Sequence, residues 1–351
     1  MAQTAGALTE AAGASFFDAA LAAFDRAREP GAPTVHVSAG PAAARFHFAT
    51  AALADALLPA WSHLLIPERE PPALTVHLFT NDHPATAMPP PPWTNDRYWT
   101  RGRILGFSEG RFRFHYEPGV DILTAYDRDL RRGLYWLPKL AYLPWWERSF
   151  PMRLLMHFWS AATPLQPLHA GAAGLPDGGV LIAGLSGSGK STTTLACLDS
   201  DLLYAGDDYI AADCETPHAY SLYNAAKVEA DNLDRLPFLR PLLANPGGLA
   251  NGEKAMTFLV RHCPAKLTAG FPLRAILLPK VTGLRDTTIV PARPMDALAA
   301  IAPTTILHLA EDSALIMRKV SKLVRALPVY RLNAGVDLPQ IPAAILRLLR
   351  G

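Results

Sequence analysis

Val180-Leu181-Ile182-Ala183-Gly184-Leu185-Ser186-Gly187-Ser188-Gly189-Lys190-Ser191 is an apolar run followed by a glycine- and serine-rich loop that ends in a lysine. The run 180–183 has the character of a buried strand. The following Thr192-Thr193-Thr194-Leu195-Ala196-Cys197-Leu198 reads as a helix. Between them stands the full G-x-x-x-x-G-K-[ST] spacing. In this setting loop N–H groups and the helix N-terminus can wrap a phosphate chain, while Lys190 neutralises it and Ser191 holds its magnesium. A turn that merely joined a strand to a helix would explain neither Lys190 nor its register. The stretch therefore predicts binding of a nucleoside triphosphate by Gly184, Ser186, Gly187, Ser188, Gly189, Lys190, Ser191 and Thr192.

The flanking sequence extends this reading. Leu168 to Ala173 is expected to be a strand, Leu175-Pro176-Asp177-Gly178 a turn, and Gly179 to Ala183 the strand that feeds the loop, which can bring His169 beside it. After the helix, Leu202 to Gly206 predicts a short strand ending in Asp207-Asp208-Tyr209. Carboxylates at such a strand end suit phosphoryl transfer: one holds Mg²⁺, the other orients or deprotonates an attacking hydroxyl. Two adjacent acids repel each other and are costly without a cation. Ser191 and Asp208 are the metal candidates, and the choice of which aspartate acts as base stays open. Tyr220 to Lys227 leads into a helix-like run to Leu236, and the glycine-rich loop 244–253 precedes Lys254, which could close over phosphate. Residues 275–279 and 287–291 read as strands, each stopped by proline. Helices are expected at 294–302, 313–327 and 339–349, with a last strand at 329–332.

Upstream, Phe17, Leu21 and Phe24 mark a short helix from Ser15 that ends before Pro30-Gly31. Strands are expected at 34–37, 45–48 and 74–79, with a helix at 51–64. Pro84 and Pro89 to Pro92 make 81–95 an extended loop. A hairpin is expected across Ser108-Glu109-Gly110, joining 103–107 to 111–116. The Arg-, Tyr- and Trp-rich stretch 130–150 reads as a domain junction. Two domains follow: an N-terminal α+β module over 1–150, able to bind an acceptor, and an α/β domain over 151–351.

A chain of 351 residues, 50% hydrophobic and 18% charged, is long and apolar enough to fold around real cores. Its formal net charge of +2 does not suggest nucleic acid as a partner. Cys197, Cys214 and Cys263 form no C-x-x-C pair, which argues against structural zinc and disulfides and for a reducing, cytoplasmic setting. No run reaches the roughly 18 apolar residues of a membrane span. Assembly with further copies of the chain is left open.

With these residues in view, a resemblance can be named. His169 to Gly174, Gly184 to Ser191 and Gly206-Asp207-Asp208 resemble the HPr serine kinase/phosphorylase family. The loop and the Gly-Asp-Asp element are also similar to the nucleotide core of ATP-dependent phosphoenolpyruvate carboxykinase. The resemblance spans about 168–349 and implies a P-loop kinase core of that type, with ATP and Mg²⁺ as cofactors. It implies that Lys190 and Ser191 are phosphate and Mg²⁺ ligands, that Asp207 and Asp208 divide the roles of base and metal ligand, and that His169 tunes their network. The implied reaction transfers the γ-phosphoryl group to a hydroxyl, most readily a serine of a protein or peptide. The alternatives are a small-molecule acceptor and a nucleotide-sensing module without catalysis.

Overall fold

In the computed structural model, residues 2–82, 87–309 and 312–351 are described, with the side chains of 2–8 and Thr100 left aside. The chain divides into two compact units. The first comprises 1–58 and 65–159, and the second comprises 59–64 and 160–351. Both mix helices with sheet, so the architecture is α/β throughout.

The first unit begins with α1 (Ala2–Ala27), longer than the helix expected from Ser15. Phe16, Phe17, Ala20, Ala23 and Phe24 recur at helical spacing and are buried, giving one apolar stripe. The unit continues through β1 (Thr34–Ala39), β2 (Ala42–Phe48), α2 (Ala51–Leu57), β3 (Leu65–Ile66), β4 (Leu74–Thr80), β5 (Phe112–Glu117), β6 (Ile122–Asp127) and β7 (Arg132–Leu137), then α3 (Trp145–Ser149) and α4 (Arg153–Ser160). The strands form a seven-stranded sheet in the order β3-β1-β2-β4-β7-β6-β5. The stripe of α1 packs with Phe79, Phe112, Phe114 and Leu134 of that sheet.

Three expectations need correction here. Residues 103–107 are not a strand; they meet β5 only through an isolated bridge, Arg103 to His115, and around Phe107, whose O accepts from Phe114 N–H, and β5 pairs instead with β6. The 130–150 stretch, expected as a domain junction, carries instead the strand Arg132–Leu137 inside the sheet, between β4 and β6. The helix expected over 51–64 gives way after Leu57 to a 3₁₀ segment, Leu58–Leu64, with Pro59 at its start. Pro84 lies outside the described residues.

The 3₁₀ segment belongs with the second unit for a visible reason. Asn224 donates its side-chain amide to Pro59 O at 2.7 Å and Ala60 O at 3.0 Å. His63 Nε2 lies 2.6 Å from Ser221 Oγ, while His63 Nδ1 faces the Asn224 amide at 3.4 Å. Since the Asn224 amide nitrogen can only donate, Nδ1 accepts and Nε2 carries the proton toward Ser221.

The second unit runs β8 (Leu165–Leu168), β9 (Gly171–Leu175), β10 (Gly178–Ile182), α5 (Lys190–Ala196), β11 (Leu203–Gly206), β12 (Ile210–Asp213), β13 (His218–Ser221), β14 (Ala225–Val228), β15 (Ala255–Phe258), β16 (Gly270–Val281), β17 (Thr288–Pro291), α6 (Pro294–Leu309), α7 (Ser313–Ala326), β18 (Val329–Ala334) and α8 (Gln340–Arg350). A nine-stranded sheet follows the path β11-β9-β10-β16-β13-β12-β8, with β18 beside β16 and β17 beside β18. The strand β10 runs parallel to β16, which runs parallel to β18. Buried Val180, Ile182, Ala275 and Leu277 meet Ile341 and Ile345 of α8 in one core cluster.

Pro279 does not stop its strand, contrary to expectation. Pro279 stands opposite Leu332 of β18, but by alternation from Ile276, whose N–H goes to Pro328 O, its nitrogen faces the other neighbour, β10, whose ladder ends with Ile182 opposite Leu277. The helix-like run expected after Tyr220 to Lys227 and up to Leu236 is also absent: β14, which pairs with β15, is followed by a short 3₁₀ turn, Ala230–Asp234. No described helix is long and apolar enough to cross a membrane.

Candidate functional site

The site is built where the sheet of the second unit changes hands. The pair β8–β12 and the near end of the pair β9–β11 fall into line, with Leu168 opposite Ile210 and Ala172 opposite Gly206, the latter after an irregularity between Tyr204 and Gly206. The chain leaves the first pair at 169–170 and returns to it at 207–209. Both breaks therefore fall at the same place, and His169 meets the aspartates there. It stands in a gap between two strands, not within the single strand 168–173 expected from sequence.

His169 Nε2 lies 2.8 Å from Asp208 Oδ1. The other Asp208 oxygen, Oδ2, is 2.7 Å from Lys227 Nζ. Lys227 also donates its backbone N–H to Asp207 Oδ2 at 3.3 Å, so one residue at the middle of β14 touches both acids. The two carboxyls are thereby driven apart. Burial raises the Asp208 carboxyl, but the Lys227 charge and His169 outweigh it and hold the group well below the usual carboxylate range. Burial first, and then the Asp208 charge, push Asp207 up to about 7. Asp207 is 1% exposed, and its Oδ1 has no hydrogen-bond partner among the described residues. The Ser191 hydroxyl bonds the same carboxyl and opposes its rise.

The backbone permits this closeness at Gly171. A Cβ there would stand 2.5 Å from Thr194 Oγ1 and 3.0 Å from Asp207 O, so only glycine lets β9 pass between α5 and the aspartate backbone. The loop 184–189 enters α5 through Gly189, whose φ of 100° an L side chain would strain. Lys190 opens the helix, is 7% exposed, and turns its ammonium back onto Gly184 O at 2.9 Å and Leu185 O at 3.3 Å. Burial lowers its pKa, and the charges of Asp208 and Asp207 pull the other way.

These groups surround one cleft of about 210 Å³. His169, Ser186, Gly187, Gly189, Lys190, Ser191, Thr192, Asp208 and Lys254 line it, and so do Lys227, Glu229, Asn232 and Arg235. Lys254 is paired with Glu229 at 2.6 Å. Of the residues singled out from sequence, Gly184, Ser188 and Asp207 stand behind the lining: Gly184 bonds Lys190, the Ser188 hydroxyl is buried, and Asp207 sits beneath Ser191.

No family model and no curated protein matches the chain. Among solved structures, the HPr(Ser) kinase/phosphatase from Coxiella burnetii is similar over 53% of this chain and 96% of its own, with 12% identity and a TM-score of 0.29. A likeness of that size carries no argument, and the site stands on its own geometry.

Sequence reasoning missed Lys227 as the partner of Asp208. Nothing local gives the link: Lys227 is the one residue not buried in a strand whose Ala225, Ala226 and Val228 are, and the pairing of that strand brings it to Asp208. It also missed His308, whose ring lies 4.2 Å from that of His169 and whose Nδ1 is 3.0 Å from the Tyr209 hydroxyl. One further group, His36, Glu68 and Glu70 in the first unit, brings possible metal ligands within 4.8 Å of one another. Arg45 pairs with Glu70 and donates to His36 Nε2, so a cation already stands there.

Proposed function

We propose that the second unit transfers the γ-phosphoryl group of ATP to a hydroxyl acceptor, with a serine of a protein or peptide as the acceptor class. The observation that carries this reading is the meeting, in one cleft, of the 186–192 segment with Asp208 and its two partners. A structural turn needs no second acid, and an isolated acid needs no glycine loop.

The residues fit a magnesium-bound triphosphate. Asp207 Oδ1 is buried and unpaired beside the Ser191 hydroxyl, the arrangement expected of two oxygens that share a cation or its water. Ser191 and Asp207 would hold the metal, and Asp207 is favoured over Asp208 because both Asp208 oxygens are already engaged. Bound magnesium supplies charge neutralisation on the phosphates. The loop N–H groups and Lys190 would hold and polarise the phosphate chain once the ammonium exchanges its carbonyl partners for phosphate oxygens.

Asp208 faces the cleft as a carboxylate and would align the acceptor hydroxyl. A carboxylate this acidic is a weak base toward a free alcohol. In a loose transition state the proton leaves late, when the forming O–P bond has made the hydroxyl acidic, so Asp208 can still receive it. His169 and Lys227 fix the orientation and charge of Asp208 and need not touch the substrate.

Incubation with γ-labelled ATP, Mg²⁺ and fractionated cell protein tests the proposal. Label is expected in protein with the wild type and lost with Asp208→Asn. Equal labelling by both would overturn the assignment, and label found only in inorganic phosphate would make the protein an ATPase.

A further inference from the structure

We infer that Arg235, together with Asn232, forms an oxyanion subsite that receives a carboxylate or phosphate group carried by the acceptor close to its reacting hydroxyl; this rests on the phosphotransferase reading above. Lys190, Lys227, Arg235 and Lys254 all line the cleft. Each lysine is engaged: Lys190 by the Gly184 and Leu185 carbonyls, Lys227 by Asp208, and Lys254 by Glu229. The Arg235 guanidinium has neither a carboxylate nor a hydrogen-bond partner among the described residues. Its neighbour Asp234 is committed to Arg240.

Arg235 is held in place by its backbone. It caps the 3₁₀ turn Ala230–Asp234, with its N–H on Asn232 O at 3.2 Å. It lies between Leu233 and Leu236, each 1% exposed, which pack with Leu195, Val228 and Leu239. A permanently charged, planar donor fork on an anchored turn is suited to an oxyanion, which it can take bidentately. The Asn232 amide adds donors on the same turn.

The division of donors argues for the acceptor. The donor phosphates would take the loop N–H groups and Lys190, which leaves the guanidinium fork of Arg235 for the acceptor. Arg235 lines the same cleft as Asp208, on the segment that follows β14, the strand that brings Lys227 to Asp208. An alcohol with an oxyanion near its hydroxyl would satisfy Asp208 and Arg235 together.

The test is thermal unfolding of wild-type, Arg235→Gln and Arg235→Lys protein with Mg²⁺ and a non-hydrolysable ATP analogue. Sodium sulfate or sodium acetate is titrated in at ionic strength matched with chloride. Sulfate probes a phosphate-type group, and acetate a carboxylate. The expected result is a saturable rise in Tm for one of these anions in the wild type. Arg235→Gln should weaken the anion by about tenfold or more, and Arg235→Lys, which keeps the charge without the fork, should fall between. No saturable rise in the wild type, or an equal rise in Arg235→Gln, would overturn the inference. Failure of the analogue itself to raise Tm would count against the phosphotransferase reading; the anion titration on nucleotide-free Lys190→Ala protein would still decide the subsite.

Discussion

Lys227 Nζ stands 2.7 Å from Asp208 Oδ2, and the two side chains are only 15% and 14% exposed. The lysine gives this acid its charge and, through its own N–H, helps orient the neighbouring Asp207. Replacing Lys227 by Met leaves Asp208 a largely buried charge without its main counter-ion. A loss of about 3 kcal/mol in stability is expected. The double variant Lys227→Met/Asp208→Asn, which removes both charges, should recover much of it. Urea denaturation of the four proteins of this cycle measures the coupling, and additive losses would show that the pair does not interact.

The two aspartates should fail in different ways. Asp207→Asn is expected to raise the Mg²⁺ concentration needed for half-maximal activity, because it removes charge beside Ser191. Asp208→Asn should leave nucleotide binding in place and lower kcat by about 10²–10⁴-fold. Rates measured across a Mg²⁺ titration separate the two, and identical Mg²⁺ dependence in both variants would dissolve the division of roles.

Gly171→Ala should act on the aspartates without touching their side chains. Its Cβ would meet Thr194 Oγ1 at 2.5 Å and Asp207 O at 3.0 Å, forcing β9 away from α5. Overpacking of this kind costs about 1–3 kcal/mol, and a displaced Asp207 lowers activity further. An Ala variant with unchanged Tm and turnover would contradict the packing described.

Acid sensitivity follows from the buried histidines. Burial lowers the pKa of His63 to about 4, and burial likewise holds His77 and His115 at about 4, against 6.5 for a free imidazole. The unfolded chain therefore binds more protons between these values. Their contribution to stability is full above about pH 6.5, falls as the pH drops toward about 4, and then levels off. Each group contributes on the order of 3 kcal/mol to that fall. Urea denaturation at stepped pH should show the slope; in the second unit Asp207, raised to about 7 by burial, adds stability over the same fall in pH, so His63→Gln should turn that unit toward greater stability at lower pH.

The centre of the site was legible because its parts are local. The loop spacing, the strand before it and the acid pair after β11 each lie within a few residues, and the structure puts 186–192 and Asp208 on one cleft. What escaped depends on long-range pairing. The strand Arg132–Leu137 is hidden by its arginine, tyrosine and tryptophan, and is a strand because β4 and β6 flank it. Lys227 could not be linked to Asp208 without the pairing of β14 with β15. Pro279 looked like a stop because nothing local shows that β10 ends opposite Leu277. Pro59–Leu64 goes with the second unit through Ser221, Tyr223 and Asn224, more than 150 positions away.

Calorimetric titration of Mg²⁺·ATP into the wild type and Lys190→Ala bears most directly on the central claim. The wild type is expected to bind one nucleotide per chain, and Lys190→Ala to lose about 10–100-fold in affinity with the charge-assisted bonds to phosphate. Equal binding by the two proteins, or none by the wild type, would contradict the account.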